Sequence, residues 1–356
     1  MELAIAILRV IGIIVGIIVG LFVLELAIVA LVPGFSVPRQ RLGKPIALSK
    51  EADSTSSVSR KDVSFNVKGT SISAWLYLPE DVSAPVPCII MGNGFGGTKD
   101  LILERYAIRY QQAGFAVLAF DYRHFGESEG EPRQLIWIPY QLEDWSAAIE
   151  YARGLKEIDP ARIALWGTSL SGGHVIVIAA RDSKIACVSA QVPLLDGHVS
   201  ALMASKHKII GIGHGLRMIM HGQRDLVRSW FGLSPHKIPI VGKPGTMAVL
   251  AFSEAYEVIG KLAPDDFINE ACARINIRMD KYRPVKKAQD VRCPVLLQIC
   301  DKDIGTPMSL VEEAEKRLGK LAEVIHYPID HFDIYTGSNF EKSVGDQLDF
   351  FKKHLL

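Results

Sequence analysis

The sequence predicts an α/β fold with an eight-stranded, mostly parallel sheet and helices on both faces, and three observations carry this. Short apolar runs alternate with helical stretches over most of the chain; a serine flanked by small residues stands where one strand passes into a helix; and one long segment interrupts the alternation. The strand-like runs are Asp62 to Val67, Ser71 to Leu78, Val86 to Met91, Ala116 to Phe120, Ile163 to Trp166, Ile185 to Ser189, Val295 to Cys300 and Glu323 to Tyr327. Helical patterns fill Leu101 to Ala113, Leu135 to Leu155, Leu170 to Ala180, Ser309 to Leu318 and Phe340 to His354. Only Lys68 to Thr70 joins the first two strands, so they should form an antiparallel hairpin at the sheet edge.

The domain plan follows from where the pattern changes. Residues 1–36 hold a transmembrane anchor, 37–59 a polar linker, 60–194 and 292–356 the α/β core, and 195–291 a helical cap inserted between the sixth and seventh strands. The cap contains Met203, Met218, Met220, Met247 and Met279 with Trp230, Phe231, Phe252 and Phe267. These side chains either line an apolar substrate pocket or are plain core.

The anchor rests on Val10 to Val32, 23 residues interrupted by one ionisable group, Glu25. That length crosses a bilayer as a helix, and it exceeds the apolar core of a cleaved leader. Arg39, Arg41 and Lys44 follow the span and only Arg9 precedes it, which places the rest of the chain in the cytoplasm by the positive-inside tendency. Gly12, Gly16 and Gly20 recur every fourth residue, either as a small-residue face for pairing two copies or as the glycine content of an apolar helix.

Forty basic residues against thirty-nine acidic ones leave no field that would favour nucleic acid. The five cysteines, Cys88, Cys187, Cys272, Cys293 and Cys300, lack metal-type spacing and read as buried thiols, a pattern that suits a reducing compartment. Neither a metal nor an organic cofactor is called for by any motif.

The chemistry concentrates in four segments. RIALWGTSLSGGH, from Arg162 to His174, takes a strand through a sharp turn at Ser169 into a glycine-rich helix start. Such a turn lifts a serine hydroxyl above the C-terminal edge of the sheet, and the helix start supplies free amides and a positive dipole end. Ser171 stands where a second glycine is usual; it is the rival nucleophile, with packing its expected role. IIMGNGFGGTKD, from Ile89 to Asp100, is a strand ending in a four-glycine loop, so the backbone amides of Phe95 and Leu170 are the candidate oxyanion donors. The loop lacks the Gly-Lys-Ser or Gly-Lys-Thr run of a phosphate cradle. VLLQICDKDIGTP ends the seventh strand with Asp301 and Asp303, of which Asp303, deeper in the loop, is the candidate acid. IHYPIDHFDIY offers His326 inside the last strand and His331 after it, and His331 completes the chain order serine, aspartate, histidine. His124, His174 and His214 are expected to be packing or surface residues.

Taken in order, NGFGGTKD, FDYRHFGES, GTSLSGGH, CDKDIGTP and DHFDIY resemble bacterial α/β hydrolases related to dienelactone hydrolases and the X-Pro dipeptidyl-peptidase catalytic domain. They are also similar to the fungal polyketide transferase and thiohydrolase group. The resemblance runs from Asp62 to the C-terminus and is thin in the cap. It implies an α/β-hydrolase fold, a triad of Ser169, Asp303 and His331, and an oxyanion hole at Phe95 and Leu170, with Asn93-Gly94 standing where the family often has His-Gly. The reaction expected is hydrolysis of a carboxylic ester or thioester of a lipophilic small molecule through an acyl-enzyme. A peptidase or acyltransferase using the same triad is the enzymatic alternative, and a non-catalytic membrane-anchored binding protein the alternative of another class.

Overall fold

A computed structural model describes residues 2–32, 37, 42, 60–80, 84–206 and 211–356. Most of the expected linker, with Arg39, Arg41 and Lys44, lies outside the described residues. The chain opens with helix α1 (Glu2–Leu31), eight residues longer at its N-terminus than the apolar run alone indicates, because Ala4, Ile5, Ala6, Ile7 and Leu8 continue it. Its Ala4–Ile28 stretch is long and apolar enough to cross a membrane and packs inside nothing, a property that a membrane span and a signal sequence share. Around Gly12, Gly16 and Gly20 the helix surface is open.

The elements that follow are β1 (Arg60–Val67), β2 (Thr70–Tyr77), β3 (Val86–Gly92), α2 (Lys99–Gln112), β4 (Ala116–Phe120), α3 (Ile138–Arg153), β5 (Ile158–Thr168), α4 (Leu170–Ala179) and β6 (Cys187–Gln191). The insertion carries α5 (Gly197–Lys206), α6 (Ile212–Trp230), β7 (Lys237–Ile238), α7 (Ser253–Leu262) and β8 (Ala271–Cys272), and the chain closes with β9 (Val295–Cys300), α8 (Met308–Leu318), β10 (Ala322–Tyr327) and α9 (Gly337–Leu355). Eight strands form one sheet in the order β1-β2-β4-β3-β5-β6-β9-β10. β1 and β2 run antiparallel at the edge, β2 also pairs antiparallel with β4, and the remaining neighbours are parallel. The β1–β2 turn is the expected hairpin: Lys68 and Gly69 both have positive φ (51° and 90°), the pair of left-handed residues that a two-residue turn requires.

Helices cover both faces, so the central strands β3, β4, β6 and β9 are buried almost throughout, and β4 reads as a continuous apolar run. Of the boundaries that differ from the sequence expectation, three are the most informative. β6 begins at Cys187 because Ile185 is still in the approach to the strand, although it is buried; α3 begins at Ile138, with Pro139 in its first turn; and β5 runs on to Thr168, so that the strand delivers Ser169 directly. The insertion shares the main core. Ile240, Val241, Ala255, Val258 and Leu262 belong to the same buried cluster as the strands, and Met218, Ile238 and Ala273 make a small second cluster. All five cysteines are free and buried.

Candidate active site

Ser169 occupies the single residue between β5 and α4, with φ 55° and ψ −118°. This conformation costs an L-residue on the order of 1–3 kcal/mol, so the surroundings must hold it. They do so from both sides: the Ser169 amide donates to the Gln191 carbonyl at the end of β6 (2.9 Å), and the Leu194 amide donates to the Ser169 carbonyl (2.8 Å). Two residues earlier, a Cβ on Gly167 would lie 2.3 Å from the Ser171 carbonyl oxygen, so no larger residue fits that crossing. Ser171 itself is fully buried, and its Oγ lies 2.8 Å from the Tyr122 hydroxyl, which also accepts from Trp145 Nε1 at 2.8 Å. The rival serine is a core residue. Leu170 opens α4, so its amide belongs to the first helical turn, where no intrahelical acceptor exists and the dipole is positive.

The loop after β3 is tied to itself by Asn93. Asn93 Oδ1 accepts from the Gly94 amide (2.7 Å), and its Nδ2 donates to the Thr98 carbonyl (2.7 Å). Gly94 passes against the serine: a Cβ there would sit 3.1 Å from Ser169 Cβ and 3.2 Å from the Thr168 carbonyl oxygen. Gly96, at φ 67°, passes under Ile240 of the insertion, whose Cδ1 would be 2.5 Å from an added Cβ. Phe95 is therefore carried between two pinned glycines, on the wall of the cavity that Ser169 also lines.

β9 and β10 are parallel neighbours, and the loops beyond their C-terminal ends meet. Asp303 Oδ2 is 2.7 Å from His331 Nδ1, and Asp303 Oδ1 accepts from the Gly305 amide at 2.8 Å. Burial works to raise the Asp303 carboxyl, but the facing His331 charge and hydrogen bond, with the Gly305 amide and Thr306, outweigh it and hold the group below the usual aspartate value. The other two residues form a second pair: His326 Nδ1 lies 2.7 Å from Asp301 Oδ1, with both side chains exposed. His174 is buried on α4 between the Tyr282 hydroxyl (2.7 Å) and Gln141 Oε1 (3.0 Å), and burial pushes its pKa down to about 3, which keeps it neutral.

Ser169, His331 and Phe95 line one cavity of about 40 Å³, with Asp303 behind His331. The insertion supplies Ile240, Val241, Leu250, Ile259 and Phe267 to the walls. Of the methionines and aromatics singled out in the sequence, Phe267 alone lines the cavity. Met218 and Met247 pack in the second cluster, Met279 packs on the main core, and Trp230 and Phe231 are exposed. The aliphatic lining residues carry no sequence signal that distinguishes them from core. Behind the elbow lies a buried polar group the sequence did not reveal: Thr168 Oγ1 lies 2.6 Å from the Tyr335 hydroxyl, and Gln191 Nε2 donates to Tyr106 Oη (3.1 Å) and Thr168 Oγ1 (3.3 Å).

Comparison with known proteins agrees with this architecture. The model of the X-Pro dipeptidyl-peptidase (S15) family matches residues 68–208. The quorum-quenching protein AidA of Acinetobacter baumannii is 38% identical over 82% of this chain and 94% of its own length. The thiohydrolase apmlB of Arthrinium phaeospermum is 26% identical over 80% of this chain and 94% of its own. The crystal structure of the α/β hydrolase GrgF from Penicillium superposes with a TM-score of 0.68 at 25% identity, covering 84% of this chain and 99% of that one. The chain therefore belongs to the α/β-hydrolase superfamily, in the group that holds the quorum-quenching protein and the fungal polyketide transferases and thiohydrolases.

Proposed function

We propose that this hydrolase is a membrane-anchored serine enzyme that cleaves carboxylic ester or thioester bonds of lipophilic small molecules. The observation that carries the reading is the strained serine at the strand–helix junction sharing a cavity with a histidine whose Nδ1 is held by a buried carboxylate. The Asp303 bond fixes the tautomer with the proton on Nδ1, which leaves His331 Nε2 as the base for the Ser169 hydroxyl. Ser169 Oγ attacks the acyl carbonyl as His331 takes its proton; the developing oxyanion is met by the amides of Phe95 and Leu170; and the proton passes to the leaving alcohol or thiol. Water, deprotonated by the same histidine, then releases the acid. Asp303 remains ionised throughout, consistent with its depressed pKa.

The apolar walls of the cavity favour an aliphatic or polyketide-like acyl group, and the apolar N-terminal helix favours substrates that partition into membranes. A second reading, transfer of the acyl group to an acceptor other than water, is supported by the relatives named polyketide transferases. Hydrolysis of para-nitrophenyl esters of graded chain length by the detergent-solubilised protein tests the first. Ser169→Ala should lower kcat by about 10⁶-fold and abolish labelling by a fluorophosphonate probe. Activity or labelling retained in that variant would overturn the assignment of the nucleophile.

A further inference from the structure

Helix α6 of the insertion presents an apolar stripe that the other described residues do not cover. At 100° per residue, Leu216, Ile219, Gln223, Leu226 and Trp230 fall within a sector of about 80°, four of the five being apolar. Leu216, Ile219 and Trp230 are exposed, and the stripe continues past the helix end into Phe231 and Leu233, with Trp230 63% and Phe231 73% exposed. Clustered aromatic and aliphatic exposure of this kind marks an interaction surface.

Three observations identify what covers it. First, α6 is joined to the end of the apolar N-terminal helix: Arg224 Nη1 donates to the Val32 carbonyl at 2.8 Å, and Val37 packs on the Met218–Ile238–Ala273 cluster beneath α6. The stripe is thus tethered where α1 would leave a bilayer. Second, Arg217, Arg224 and Arg228 recur along another flank of the helix, whose one acidic residue, Asp225, is buried against Arg274. Arg217 is exposed on that flank and complements anionic headgroups, whereas Arg224 is buried against the Val32 carbonyl and Arg228 is bonded to Ser234. Third, tryptophan and phenylalanine at the end of a basic amphipathic helix are the residue types that sit at the lipid–water boundary.

We propose that this face is seated in the surface of the bilayer that holds α1, with α6 lying along the membrane and the stripe from Leu216 to Leu233 inserted among the acyl chains. The inference rests on the anchor reading of α1. It also gives the hydrolase reading its route of access. The α6 cluster reaches Ile238, and two residues on, Ile240 covers Gly96 and lines the catalytic cavity, so the membrane-seated helix and the cap over Ser169 are packed as one body.

The test uses the full chain reconstituted into phosphatidylcholine–phosphatidylglycerol vesicles, with and without bromine on the acyl chains. Of the five tryptophans, Trp75, Trp145 and Trp166 are buried in the core, so the difference between wild type and Trp230→Phe isolates the emission of Trp230. Docking predicts that brominated lipid quenches this difference signal, and that the double variant Leu216→Glu, Ile219→Glu reduces the quenching. Neither readout needs catalysis, so failure of the hydrolase reading leaves the result intact. Resistance of the chain to carbonate extraction reports on α1 separately. A resistant chain whose Trp230 is not quenched overturns the docking and leaves the anchor standing, and an extracted chain with unquenched Trp230 overturns both. An extracted chain with quenched Trp230 removes the anchor and overturns the proposal as stated, leaving a peripheral lipid-binding face. Unquenched but blue-shifted Trp230 emission would assign the face to a protein partner or a second copy and overturn the proposal.

Discussion

Two aspartate–histidine pairs hang from the ends of the same two strands, and they differ in surroundings rather than in bond length. Asp301–His326 and Asp303–His331 both meet at 2.7 Å through Nδ1. The first has side chains 42% (His326) and 37% (Asp301) exposed; the second has 20% (His331) and 9% (Asp303), and its histidine lines the cavity that holds Ser169. In water the first pair is a screened surface contact worth at most about 1 kcal/mol. Inside the loop the second pair is oriented by the Gly305 amide, and its histidine shares a cavity with Ser169. A hydrogen-bonded aspartate and histidine become a catalytic device only when burial fixes their geometry and a reacting group lies on the far side of the ring.

The sharpest way to break the contrast is to remove each ring in turn. His331→Ala should cost on the order of 10⁴- to 10⁶-fold in kcat with para-nitrophenyl esters, whereas His326→Ala should stay within about two-fold. A large loss from His326→Ala would mean that the exposed pair is the working one. Next comes the carboxylate: Asp303→Asn should lower kcat by about 10⁴-fold while leaving fluorophosphonate labelling detectable at long exposure, and Asp301→Asn should leave the rate unchanged.

The pair should also differ in how it supports the fold. Because the Asp303 pKa is depressed in the folded chain, its contribution is present above the unfolded aspartate value of about 4 and is lost as the pH falls through the lower folded value. The Tm difference between wild type and Asp303→Asn should therefore be constant near neutrality and shrink below about pH 4; a difference that grows there would reverse the sign. The smallest effect expected is that of Asp301→Asn on Tm, a change within about 0.5 kcal/mol at any pH.

Much of the fold was legible because its signals are local. Alternating apolar runs and helical periods located the eight strands of the main sheet, and the two positive-φ residues Lys68 and Gly69 sit where the short connection demanded a hairpin. The elbow was legible for the same reason: glycine at position 167 and a serine between a strand and a helix are a local pattern, and the 2.3 Å approach of the Ser171 carbonyl explains why the glycine is needed. The cap was poorly legible. Its methionines drew attention as candidate lining, yet the walls are built from Ile240, Val241, Leu250, Ile259 and Phe267, ordinary apolar residues placed there by a path with little regular structure.

By itself the sequence determined the order of the elements, the class of sheet, the serine at its turn and an apolar helix long enough to cross a membrane, because each of these follows from neighbours a few residues apart. Only the tertiary structure put His331 in one cavity with Ser169, buried Ser171 beside Tyr122, and set which side of the cap meets the loop after β3 and which is left exposed. Those choices depend on loops that converge from strands far apart in the chain, and no short-range pattern encodes a distance between them.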